Sequence, residues 1–265
     1  MKKRHLIYVA CLLVAMGACS ATSKERTKIT PDAWGKYNVG TILFEDKAPE
    51  TKGSDIYHRI IPDAESYIKA QAREVLATLY NSPEDSIPTV NKIHYTLEDI
   101  EGVSAKGGGN GDVTIFYSTR HIEKSFAAND TAKLFFETRG VLLHELTHAY
   151  QLEPQGVGSY GTNRVFWAFI EGMADAVRVA NGGFDGPNAR PKGGNYMDGY
   201  RTAGYFFVWL RDNKDPEFLR KFNRSTLEVI PWSFDGAIKH ILGNEYNIDE
   251  LWHEYQVAVG DIQAQ

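Results

Sequence analysis

The chain has 265 residues, a formal net charge of -5 and 43% hydrophobic residues, enough for one substantial core or two lobes about a cleft. Its two cysteines, Cys11 and Cys19, both fall in the first nineteen residues, so the rest of the chain has no disulfide, thiolate ligand or cysteine nucleophile. Mild acidity gives no support to nucleic-acid binding.

Lys2, Lys3 and Arg4 precede an apolar run from Leu6 to Met16, and Gly17 and Ala18 then lead into Cys19. This is the layout of a secretory leader, and the small pair before a cysteine matches a bacterial lipoprotein cleavage site. The reading makes residues 1–19 a signal peptide, Cys19 the lipidated residue, and residues 20–33 a flexible tether. It places the protein in the bacterial cell envelope, held to a membrane by lipid and facing the periplasm or the cell surface. Loss of the leader takes the formal charge from -5 to -8. An ordinary cleaved signal and a membrane-retained leader helix are the alternatives.

In chain order, Val39 to Glu45 reads as a strand, and Asp55 to Pro62 is ambiguous. Pro62 to Glu65 looks like a helix start, with proline and acids at the positive end of the dipole. That helix should run to about Tyr80. Val90 to Tyr95 reads as a strand, Gly102 to Gly111 as a glycine-rich connection, and Asp112 to Ser118 as a second strand. The glycine run lacks the ending of a phosphate-binding loop, so a hairpin tip or cleft rim is expected. Asp112 to Ser118 is a candidate edge on which an extended peptide could lie.

Leu134 to Gln151 reads as an amphipathic helix. It carries His144-Glu145-Leu146-Thr147-His148, and residues four apart share one helix face. Two imidazoles can thus aim at one ion while Glu145 reaches a water beside it, the HExxH arrangement of zinc metallopeptidases. The same segment also suits a buried helix whose histidines merely hydrogen-bond. Two histidines do not complete a zinc site. Val165 to Ala180 reads as a second apolar helix, and its Glu171 and Asp175 are acids among Phe, Trp, Ile and Met, unusual unless paired or bound to metal. Glu171, 23 residues after His148, is the candidate third ligand. Asp175, a turn further on, could orient a ligating histidine. The two roles could be exchanged, and Glu171 could instead pair with Arg178 or Arg139. Gly172 and Ala174 suggest close packing against the motif helix. No third histidine follows His148 at metzincin spacing.

Asn181 to Asn195 reads as a Gly- and Pro-rich rim loop, and Asp198 to Arg211 as a third helix. It carries Tyr200 and Tyr205, phenols that could stabilise an oxyanion or pack in the core. His121 is a weaker candidate donor. Tyr160, Trp167, Phe184 and Tyr196 could stack on sugars, fill side-chain pockets or belong to the core. Helices are expected at Asp215 to Phe222, Phe234 to Leu242 and Ile248 to Val259. His240 and His253 lie outside any ligand spacing.

Several stretches together resemble the family named after the plant basic secretory proteins, which has bacterial members and is classed with zinc metallopeptidases. They are Gly102 to Ala105 with the glycines and strand that follow, Arg139 to Gln151, Ile170 to Asp175 and Gly199 to Phe206. The resemblance implies an α+β, zincin-like metallopeptidase fold of the gluzincin kind. It implies a small mixed sheet and the active helix in one lobe, about 34–152, and a mainly helical second lobe, about 153–265. It favours His144, His148 and Glu171 as Zn2+ ligands, Glu145 and Tyr200 as catalytic groups, and Asp175 as the residue that orients a ligand. The expected partner is a protein or peptide substrate, glycosylated or not. The rivals are a noncatalytic binding module and a zinc hydrolase acting on glycopeptide or cell-wall amide bonds. No separated carboxylate pair of a glycosidase stands out.

Overall fold

The computed structural model describes residues 33–263, so the leader, Cys19 and nearly all of the tether lie outside the described residues. The described residues form a mixed α+β structure with one four-stranded sheet and nine α-helices. The strands are β1 (Thr41–Asp46), β2 (Lys92–Glu98), β3 (Ser104–Gly109) and β4 (Asp112–Ser118). Their spatial order is β1-β2-β4-β3, with β1-β2 and β2-β4 parallel and β3-β4 antiparallel.

This order corrects two readings. The glycine-rich connection is itself a strand, β3, joined to β4 through Asn110 (φ 53°) and Gly111 (φ 82°). A two-residue Asn-Gly link with both φ values positive is the turn whose twist suits a hairpin. β4 therefore lies inside the sheet, whose edge strands are β1 and β3.

The helices are α1 (Lys52–Ile60), α2 (Ala64–Leu79), α3 (Thr119–Ser125), α4 (Thr131–Tyr150), α5 (Arg164–Ala180), α6 (Tyr200–Asn213), α7 (Phe218–Glu228), α8 (Phe234–Leu242) and α9 (Ile248–Ala258). The ambiguous stretch resolves into α1, whose N-cap is Thr51, and α3 was not expected. Asp63 caps α2, Asp130 caps α4 and Asn163 caps α5, each side chain accepting from backbone N–H groups that the first turn leaves unpaired. One hydrophobic core runs from Trp34 to Tyr255. α4 is tied to the sheet where the hydroxyls of Tyr117 and Thr138 meet at 3.2 Å, and Tyr80 donates to the last carbonyl of α4, that of Tyr150.

Gly172 does not serve the contact expected of it. A Cβ there would meet Ala203 and Phe207 at 2.7 Å, so its bare backbone admits α6 rather than the motif helix. Gly204 on α6 answers it, with space for a Cβ blocked at 2.9 Å by Asp175. α5 and α6 are thus pressed together at the turns that carry Glu171 and Asp175. The glycine on the motif helix that allows a close approach is Gly140, where the guanidinium of Arg178 occupies the place of a side chain.

Candidate metal centre

α4 presents His144 and His148 on one face, with their Nε2 atoms 3.1 Å apart. α5 brings Glu171 to the same point, its Oε2 3.4 Å from His144 Nε2 and 3.7 Å from His148 Nε2. One donor atom from each residue lies within 4.8 Å of the others, and this is the group of potential metal ligands found among the described residues. Glu171 does not pair with either arginine considered for it. Arg178 donates to Glu137 at 2.6 Å, and Arg139 donates to the carbonyl of Asn181.

The donor set fits a divalent ion. Glu171 is 4% exposed, yet its Oε2 is buried without a hydrogen-bond partner. An orphaned carboxylate oxygen is costly in a low-dielectric interior unless a cation completes it. Two imidazoles and one carboxylate are also the ligand types that zinc takes when one position is kept open for water or substrate.

The supporting contacts assign the ring nitrogens. Asp175 Oδ1 lies 2.7 Å from His144 Nδ1, which leaves Nε2 of that ring free to face the ion position. This gives Asp175 the orienting place and Glu171 the facing one. Gln151, the C-cap of α4, sets its terminal amide 2.9 Å (Nε2) from His148 Nδ1. Turned over, the same amide presents its oxygen to an Nδ1–H. Tyr160 donates its hydroxyl to Glu171 Oε1 at 2.6 Å, holding one carboxylate oxygen so that the other faces the histidines. Tyr160 entered the sequence reading only as a loop aromatic, and no local pattern ties it to Glu171.

The charges follow from this packing. For His144, burial opposes the charged form, but the carboxylates of Asp175 and Glu171 outweigh it and push the pKa up to about 10. For His148, burial, reinforced by the charge on His144, pushes it down to about 3. Two rings whose Nε2 atoms lie 3.1 Å apart are not both cationic, so the pair carries at most one positive charge. Burial would raise Glu171, yet His144, His148 and the Tyr160 hydroxyl hold it below the ordinary carboxylate value. Glu145 is 6% exposed, and burial raises its pKa despite the charge on His144.

Tyr200 is the first residue of α6, at φ 41°, directly after Gly199 at φ 66°. A non-glycine residue in the left-handed region costs of order 1 kcal/mol and persists where neighbours fix it. Trp167 packs edge-on against the Tyr200 ring at 5.4 Å, and that ring lies nearly parallel to His144 at 6.1 Å. Tyr200 is 46% exposed and faces the cleft. Tyr205 turns away and donates to the carbonyl of Phe184. His121 pairs with Glu137 and His240 with Glu228, both outside the site. Of the aromatics considered for sugar stacking, Tyr160 and Phe184 line the cleft; Trp167, on α5, backs Tyr200, and Tyr196 packs on Phe234 and Trp252.

The site opens into a cleft of about 820 Å³ between β3, α4, α5 and the start of α6. Ser118 N donates to Val103 O, so Val103, Ala105 and Gly107 pair with β4. The antiparallel alternation then turns the backbone groups of Ser104 and Lys106 outward, along the free edge.

A family model described as a peptidase of plants and bacteria (BSP) matches residues 40–255. No curated protein and no solved structure matches the chain.

Proposed function

The chain belongs to this family, that of the basic secretory proteins, which is described as one of peptidases, and from that premise we propose that it is a zinc-dependent peptidase of zincin-like, gluzincin-type fold. The observation that carries the metal is the buried, unpartnered Oε2 of Glu171 facing two imidazole nitrogens. His144 Nε2, His148 Nε2 and Glu171 Oε2 would hold the ion, which supplies Lewis acidity to the scissile carbonyl and lowers the pKa of water.

The chain's own residues then have separate tasks. Glu145 accepts the proton of the attacking water and returns it to the amine that leaves. Its raised pKa brings it nearer to the operating pH, where a general base works best. Tyr200 overhangs His144 and donates to the oxyanion as charge develops there. Asp175 and Gln151 hold the imidazoles in orientation, and Tyr160 keeps Glu171 to one facing oxygen. The free edge of β3 offers N–H and C=O groups to an extended peptide, the role first looked for on β4.

The full chain, incubated with zinc and an unfolded protein, should yield new peptide termini by mass spectrometry. Cleavage should stop with a chelator and resume when zinc is restored. Folded, zinc-loaded protein that leaves every peptide bond intact would count against the reading.

The same reading keeps the lipid on Cys19 and a place in the bacterial cell envelope, with a protein or peptide, glycosylated or not, as substrate. Labelled palmitate should enter the wild-type protein in a bacterial host and not Cys19→Ala. Equal labelling of the two removes the anchor.

A further inference from the structure

The cleft holds one arginine whose charge the fold does not balance. Arg178 and Arg201 flank the same ring, that of Phe184, at 3.7 Å and 5.4 Å from its centre. Arg178 is 5% exposed and has its counter-charge in Glu137 at 2.6 Å. Arg201 is exposed and lines the cleft, and its side chain donates to the carbonyl of Ala189 at 3.1 Å. No carboxylate lies within 4.0 Å of it among the described residues. Arg178 is matched by Glu137, whereas Arg201 keeps guanidinium N–H donors open on the cleft wall, where a carboxylate can meet them.

The wall is a fixed one. Phe184 sits at φ 54°, a strained value for a phenylalanine, and it is held there from three sides. Tyr205 donates to its carbonyl, Arg178 packs on its ring, and the loop that carries it is clamped further on by paired Arg190–Asp261 contacts of 2.7 Å. Strain kept in place by several contacts at a cleft marks a built surface rather than a slack loop.

The position of Arg201 along the cleft follows from the register of β3 against α4. Ser104 pairs with Tyr117, whose hydroxyl meets that of Thr138 on α4 at 3.2 Å, so the Val103 end of β3 lies toward the Thr138 to Val141 part of α4. Arg178 fills the space over Gly140, and Phe184 and Arg201 are grouped with it at that end. A peptide pairing antiparallel to β3, the more stable arrangement, runs from the Lys106 end to the Val103 end. Its residues beyond the scissile bond pass Arg201.

We infer that Arg201, on the wall built by Phe184 and Arg178, forms a subsite for a carboxylate on the C-terminal side of the scissile bond, so that the substrates are acidic peptides. This rests on the peptidase reading and names the substrate class of that site. The carboxylate comes from an Asp or Glu side chain or from a free C-terminus, and arginine meets either through paired N–H donors.

The test uses the full-length Glu145→Gln chain with zinc, so that binding is read without hydrolysis. The probes are fluorescein-labelled alanine-based octapeptides with one Glu or one Gln moved along the chain, each with a free or an amidated C-terminus. Anisotropy should show one Glu position toward the C-terminal end binding about 10-fold tighter than its Gln twin, the margin of a charge-assisted hydrogen bond. A free-acid peptide binding tighter than its amide, whatever the Glu position, assigns the subsite to the terminal carboxylate. Adding Arg201→Gln should abolish the preference while circular dichroism stays unchanged.

Equal binding of acid and neutral twins overturns the subsite, as does the absence of any binding. So does a preference confined to the N-terminal half, or one that survives Arg201→Gln and is removed by Lys106→Gln. Hydrolysis by the wild-type chain is scored in parallel. Cleavage without acid preference leaves the peptidase and removes the subsite; acid preference without cleavage does the reverse.

Discussion

Glu171→Ala should lose nearly all of the zinc that the wild-type chain holds. Structural zinc sites of four ligands bind with apparent free energies of about 10–16 kcal/mol, so one ligand is worth about 3 kcal/mol, or roughly 10²–10³-fold in affinity. The variant also removes the acceptor of the Tyr160 hydroxyl and one of the carboxylates that raise the pKa of His144. Metal content by mass spectrometry, and competition with a chromophoric chelator, read the loss directly. Circular dichroism confirms that both proteins are folded. If the variant keeps its full zinc, the third ligand is elsewhere. Asp175 would be the residue to change next, because it reaches His144 from the adjoining turn of α5.

Glu145→Gln should give the opposite split. Glu145 is not among the residues whose donor atoms converge, so the variant should keep its zinc and its fold. Glutamine matches the carboxylate in size but cannot take a proton from water. General acid–base catalysis by one positioned group is worth about 10²–10⁴-fold, and the turnover number should fall by that factor with little change in KM. Product formation followed by quenched-fluorescence peptides would show it. An unchanged rate would mean that another group carries the proton, and the assignment would fail.

The sequence made α4 and α5 readable because each is long, periodic and capped by a local side chain, Asp130 and Asn163. The i,i+4 histidines needed only helix geometry to be brought together. Glu171 was reachable because an acid among Phe, Trp, Ile and Met demands an explanation. The contacts that were missed are nonlocal or short. α1 and α3 are short, nine and seven residues, and their tertiary packing rather than local pattern decides them; α8, also of nine residues, was legible. Strand order depends on partners far apart in the chain, and the pattern of β4 alone does not separate an inner strand from an edge. The signal for β3 was present in Asn110-Gly111 but was masked by the glycines before it. The Tyr160–Glu171 bond joins a loop to a helix, and nothing in either segment points to the other.

The free edge of β3 has a further consequence, for solubility. An open strand edge is a template for a second copy of the chain as well as for a ligand. Gly107, Gly108 and Gly109 fill half of this strand; glycine orders poorly into a strand and brings no side chain to a stacked sheet. The stretch able to hold another strand is thereby shortened to Val103 through Lys106, and its last residue is a lysine, which repels its own image. An accessible edge so curtailed is a poor seed for self-association, and it stays available to short extended guests.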